Sequence, residues 1–96
     1  MNTMQLEIVS PEATLFSGEV ESVTAPGVSG SFQLLNNHAP IVSSLQAGQV
    51  VIKGNSIKLE AEHKDLFEAV EKGGYALTIK SGTLEMNDNK IIVLAD

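Results

Sequence analysis

Apolar and polar side chains alternate one by one over much of this chain, and that period of two, unlike the 3.6 of a helix, sharply narrows the folds open to it. Met4, Leu6 and Ile8 face one way and Gln5 and Glu7 the other, which describes a half-buried strand. Tyr75, Leu77 and Ile79 repeat the pattern, and residues 91–94 are apolar on both faces, as a central strand is. Strand-ending residues punctuate these runs. Pro11-Glu12 breaks the first ladder, residues 13–16 form a short second strand closed by Gly18, and an extended pattern resumes over 19–25. The slip of apolar positions from Val20 to Val23 predicts a bulge. Asn87-Asp88-Asn89 reads as a turn.

The clearest local signal is Val50-Val51-Ile52-Lys53, then Gly54-Asn55, then Ser56-Ile57-Lys58-Leu59, because Gly-Asn is a favoured two-residue hairpin loop. The predicted register sets Ile52 against Ile57 and Val50 against Leu59. Only residues 65–72 have helical spacing, with Leu66, Ala69 and Val70 behind an acidic cap, and a strand over 66–70 turning at Gly73-Gly74 fits nearly as well. The expected fold is all-β, a flattened sandwich or barrel of about eight to ten short strands, with room for a short helix near 65–72. At 96 residues, one domain spanning 1–96 is expected.

Charge excludes several functions. Twelve acidic residues against six lysines and no arginine give a formal charge of −6, so the surface repels polyphosphates and anionic headgroups. No nucleic acid, nucleotide or direct lipid partner is expected. The absence of cysteine removes thiolate nucleophiles and cysteine-held zinc. The first residues show no basic segment followed by an apolar one, and the longest apolar run, 91–95, falls far short of the roughly 20 residues that cross a bilayer.

Candidate chemistry is sparse. His63 lies near Glu60, Glu62 and Asp65, but one histidine among carboxylates reads better as a solvated acidic face than as a metal site. Glu19 and Glu21 stand about 7 Å apart along an extended segment, with no cleft implied beside them. Ser43-Ser44 lacks a nucleophile elbow. Gly27-Val28-Ser29-Gly30-Ser31 has neither the lysine nor the helix of a phosphate loop and reads as a tight turn needing positive φ. No catalytic residue, metal or cofactor is assigned. The remaining alternative is a lipoyl- or biotinyl-type carrier presenting Lys53 at a hairpin tip, although Ile52 and Gly54 flank that lysine where carriers have methionines.

One resemblance covers nearly the whole chain. Residues 17–32, from Ser17-Gly18-Glu19-Val20-Glu21 to Gly30-Ser31-Phe32, continue through Leu34-Leu35-Asn36-Asn37-His38-Ala39-Pro40-Ile41 to Leu45-Gln46-Ala47-Gly48. With Leu6-Glu7-Ile8-Val9-Ser10-Pro11-Glu12 before them and Val93-Leu94-Ala95-Asp96 after, they closely resemble the epsilon subunit of the rotary ATP synthase. The resemblance implies a flattened β-sandwich that binds the gamma subunit and rests on the polar loops of the c-ring, turning with both and performing no chemistry. It implies a position on the cytoplasmic face of a bacterial membrane, in an enzyme driven by protons or sodium ions. By the same resemblance Val28, Ser29, Gly30, Ser31 and Phe32 face the c-ring, and His38, Ala39, Pro40, Ile41 and Val42 lie at the gamma contact. Three local departures stand out. Asn36-Asn37 replaces a frequent Pro-Gly, Ser31 stands where many relatives have an acidic residue, and residues 62–74 look like an insertion. The family usually continues as an α-helical hairpin; this chain stops at Asp96 and is read as the β-domain alone, coupling the rotor without acting as an extending brake.

Overall fold

The alternation of the sequence is an alternation of burial. In the computed structural model, which describes residues 3–96, Met4, Leu6 and Ile8 are fully enclosed while Gln5 is exposed. Met1 and Asn2, the start of the stretch read for a leader, lie outside the described residues. Ten strands follow one another: β1 (Met4–Val9), β2 (Thr14–Val20), β3 (Ser22–Gly27), β4 (Gly30–Leu35), β5 (Ile41–Leu45), β6 (Gly48–Lys53), β7 (Phe67–Val70), β8 (Gly74–Ile79), β9 (Gly82–Asn87) and β10 (Lys90–Ala95).

One half of the curled sheet runs β2-β1-β10-β9-β5 and the other β3-β6-β8-β7, with β4 on the free side of β3. The corner between them is the β5–β6 segment. The start of β3 pairs with β6, Ser22 against Lys53 and Thr24 against Val51, whereas its end pairs with β5, Gly27 against Leu45. The chain therefore bends at Gln46-Ala47 and carries the sheet around upon itself. Between the two layers lie Leu6, Ile8, Val20, Val23, Leu34, Val50, Ile52, Leu84, Ile91 and Val93, in one apolar cluster. The dimensions of 32 × 31 × 23 Å have one short axis, as two layers about 10 Å apart with outward side chains require. At the open seam, Phe16 of β2 and Phe67 of β7 bring their rings to 6.5 Å. The all-β flattened architecture matches the expectation.

Several details do not. β10 is central, parallel to β1 and antiparallel to β9, but only one face is closed: Leu94 is 52% exposed. The hairpin over residues 50–59 does not form. Ile52 pairs with Tyr75 and Val50 with Leu77, and residues 57–60 belong to no strand. A two-residue hairpin loop of that type needs positive φ at its first central residue, and neither Gly54 nor Asn55 has it. Ile57 and Leu59 still pack against the core, as irregular chain. β2 does not close at Gly18 but runs on to Val20. The Phe16 ring lies over Gly18, where an added Cβ would come within 3.3 Å of it, so the aromatic supplies the cover that glycine lacks. The slip between Val20 and Val23 is a strand end at Glu21; the register irregularity falls instead between Ile8 and Val9. Residues 65–72, left open between helix and strand, form no α-helix and bear out the strand reading. Two 3₁₀ turns, Lys64–Leu66 and Glu71–Gly73, flank β7, which pairs with β8 from Phe67–Leu77 to Val70–Gly74.

Candidate functional site

β4 has an exposed feature at each end. At its start the chain reverses through Val28-Ser29, with Gly27 and Gly30 as the closing pair. Gly30 has φ of 129°, a conformation nearly closed to L side chains. Gly27 is required for space: a Cβ there would sit 2.8 Å from the Gly30 carbonyl oxygen and 2.8 Å from the Phe32 ring. The corner strand braces this turn. The Val28 N–H donates to the Ser44 carbonyl (3.1 Å), the Gln46 N–H to the Pro26 carbonyl (2.8 Å), and the Gln46 side-chain amide to the Gly27 carbonyl (3.1 Å). Val28 is left 59% exposed, with Ser29, Gly30 and Ser31 also open. Phe32 departs from the rest of its run: it stands opposite Ala25 and packs against the core.

Beyond the far end of β4, Asn37 adopts φ of 67°, which asparagine tolerates better than most residues. The His38 N–H closes the turn on the Leu35 carbonyl at 3.1 Å, and the His38 Nδ1 lies 2.7 Å from the Ala39 carbonyl. His38, Ala39 and Pro40 are exposed. Ile41 turns inward opposite Met86, and Val42, opposite Glu85, is 76% exposed, more than any other large apolar residue on the described surface.

This loop is tied to a second one. The hairpin joining β9 to β10 turns at Asp88-Asn89, with φ of 51° and 60°, the signature of a type I′ turn. The Asn37 N–H donates to Asn89 Oδ1 at 2.6 Å, and Asn89 Nδ2 donates back to Asn37 Oδ1 at 3.1 Å. The main chain of Asn89 is itself held, its carbonyl accepting the Gln5 N–H at 2.9 Å.

The glycine turn and the loop at residues 37–40 therefore stand beyond opposite ends of β4. β4 spans six residues, about 20 Å at 3.3 Å per residue, and β5 runs back from the loop at Ile41 to the glycine turn at Leu45, which leaves Val42 two residues from Ser44, the acceptor of the Val28 N–H. Strand alternation would have shown that Phe32 and Ile41 point inward. Gln46 carried no signal in the sequence, and Asn89 was legible as a turn residue but not as the partner of Asn37.

The other candidates do not converge. His63 lines a groove with Ser10, Leu66 and Asp96, whereas His38 lines one with Asn37, Pro40 and Asp88. Glu19 accepts a hydrogen bond from the Thr3 hydroxyl at 2.9 Å, while Glu21 lies past the end of β2 in a groove with Lys53 and Lys72. Lys53 is not at a hairpin tip. It ends β6, half-buried, opposite Ser22, and its carbonyl accepts the Glu21 N–H at 2.7 Å. The carrier alternative loses the geometry on which it stood.

Comparison with known proteins bears on the whole arrangement. The ATP synthase delta/epsilon chain beta-sandwich domain matches residues 3–73. The ATP synthase epsilon chain of Chlorobium limicola is 36% identical over 92 residues, covering 96% of this chain and 88% of that one. That of Dehalococcoides mccartyi is 34% identical over 96 residues, covering all of this chain, which spans 57% of the relative's length. Among solved structures, a chain from the central stalk and c-ring of the Tetrahymena thermophila mitochondrial ATP synthase superposes with a TM-score of 0.67 at 15% identity, over 96% of this chain and 62% of that one, and so shares the fold. With sequence likeness from end to end and the same sandwich, this chain belongs to the ATP synthase epsilon-chain family, in which it corresponds to the β-sandwich domain.

Proposed function

We propose that this chain acts as one domain, a non-catalytic subunit of the central stalk that docks on the gamma subunit through the His38 to Val42 side and on the c-ring through the Val28 to Ser31 turn. The observation that carries this reading is the exposed turn at residues 28–31 and the exposed loop at residues 38–40, separately braced and about 20 Å apart at opposite ends of β4 in one close-packed body. A part that transmits torque must grip two neighbours at once and not yield between them, and a small sandwich with an adhesive surface at each end meets that need. In this role the chain has no active site of its own. It turns at the cytoplasmic face of a bacterial membrane, as part of an enzyme coupling proton or sodium-ion flow to ATP synthesis.

The test uses purified chain, gamma subunit and c-ring from one source. A stable complex with gamma is expected on size-exclusion chromatography at low salt, weakened by Ala39→Lys in the distant loop and indifferent to Val28→Glu. Capture of the gamma-bound chain by the c-ring should show the opposite dependence. Failure to form any complex with gamma would refute the reading, and the same variant weakening both contacts would refute the division into two ends.

A further inference from the structure

We propose that Asn89 is a positioning residue for the gamma-docking loop: from another hairpin, its side chain holds residues 37–40 in the conformation that the partner meets. The proposal rests on the reading above that His38 to Val42 contacts gamma. Asn37, His38, Ala39 and Pro40 are all exposed, and none of them belongs to the core cluster, so packing does little to fix this loop. Its internal bonds are local, from the His38 N–H to Leu35 and from the His38 ring to Ala39. The tie that fixes it to the sandwich is the reciprocal amide pair, in which Asn89 accepts from the Asn37 main chain at 2.6 Å and donates to the Asn37 side chain at 3.1 Å. Fifty-two positions separate the two residues. Asn89 can serve as an anchor because its own backbone is fixed by the hairpin and by the Gln5 N–H.

Two side chains that each favour a left-handed backbone thus meet, and each turn presents the other with an amide at a fixed place. Without the clasp the loop would sample other conformations, and the binding-competent fraction would fall. A partner that recognises one conformation then binds less often, while the complex, once formed, holds its loop through the partner's own contacts. The loss belongs in the association rate.

The decisive variant is Asn89→Gly, which keeps the left-handed turn and removes the amide. Association with gamma, followed by biolayer interferometry, should slow by about tenfold, with dissociation changed by less than about twofold. Asn89→Asp should recover most of the rate, because a carboxylate oxygen still accepts the Asn37 N–H. Adding Asn37→Gly to Asn89→Gly should cost little more than the single change, as members of one pair do. In the free chain, amide hydrogen exchange at Asn37 should accelerate in Asn89→Gly, a readout independent of gamma. Wild-type association in Asn89→Gly, independent multiplication of the two glycine effects, or unchanged exchange at Asn37 would each overturn the proposal. If the wild-type chain itself does not bind gamma, the docking function falls first and this inference with it; if it binds and Asn89→Gly binds equally well, this inference alone falls.

Discussion

The two ends of β4 solve the same local problem with different residues. Each must reverse or redirect the chain in a conformation that most L side chains avoid. One end uses Gly27 and Gly30; the other uses Asn37, paired with the Asp88-Asn89 turn. Glycine supplies backbone freedom at Gly30 and space at Gly27 but no side chain that binds, so the glycine turn is braced from outside by the main chain of the corner strand and by Gln46. Asparagine supplies a tolerable left-handed backbone together with a side chain that binds, so the asparagine turns brace each other. The choice follows from the angles. Gly30 at 129° lies outside the left-handed helical well, whereas Asn37 and Asn89, at 67° and 60°, lie within it.

That contrast predicts an asymmetry that substitution can break. Gly27→Ala should be the most damaging of the turn changes, because its Cβ meets a carbonyl oxygen and an aromatic ring at 2.8 Å; a loss of about 1–3 kcal/mol is expected in urea unfolding. Gly30 has open space around its missing Cβ, so Gly30→Ala and Gly30→Asn should each cost about 1 kcal/mol through backbone strain alone. Wild-type stability in Gly30→Asn would show that asparagine serves at either end and that the contrast is accidental. Asn37→Gly should cost less, under about 1 kcal/mol, since glycine keeps the angle and only the exposed hydrogen bonds are lost. Smallest of all, Val42→Lys should change the melting temperature by no more than about 0.5 kcal/mol implies, because that side chain touches solvent in the free chain and Glu85 stands opposite it. A larger drop would mean that Val42 supports the fold and is no free contact surface.

How far the sequence could be read depended on where the information lay. Met4, Leu6 and Ile8, and Tyr75, Leu77 and Ile79, reveal their strands because alternation depends only on neighbours along the chain. The Val50 to Leu59 segment misled because its local signals were sound but its partners were distant: β6 had Tyr75 and Leu77 available on one side and Val23 on the other, and a hairpin with residues 56–59 would have occupied an edge that the sheet itself fills. Residues 65–72 were ambiguous for the same reason. Nothing local announces that β8 leaves an edge for Phe67 to Val70 to cover. At the candidate site, the runs 28–32 and 38–42 came from resemblance, and the strand period then separates Phe32 and Ile41, which serve the core, from the residues around them. The Asn37–Asn89 pair was beyond reach, since a hydrogen bond across 52 positions leaves no periodic trace in the sequence.

The place of β10 bears on how this molecule is born. It lies between β1 and β9, bringing Leu6 beside Ile91, so residues from near the two ends of the sequence are neighbours in mid-sheet. A ribosome delivers β1 and β2 first, yet until β10 has emerged from the exit tunnel one whole edge of β1 lacks its strand and half of the core lacks its floor. The nascent chain must keep Leu6 and Ile8 from wrong partners until residues 90–95 have been made. The final closure joins distant segments, which places folding among the slower, high-contact-order cases. Cells making this protein would gain from a chaperone that covers apolar strands during translation, and the sandwich can close only once β10 is in place between β1 and β9.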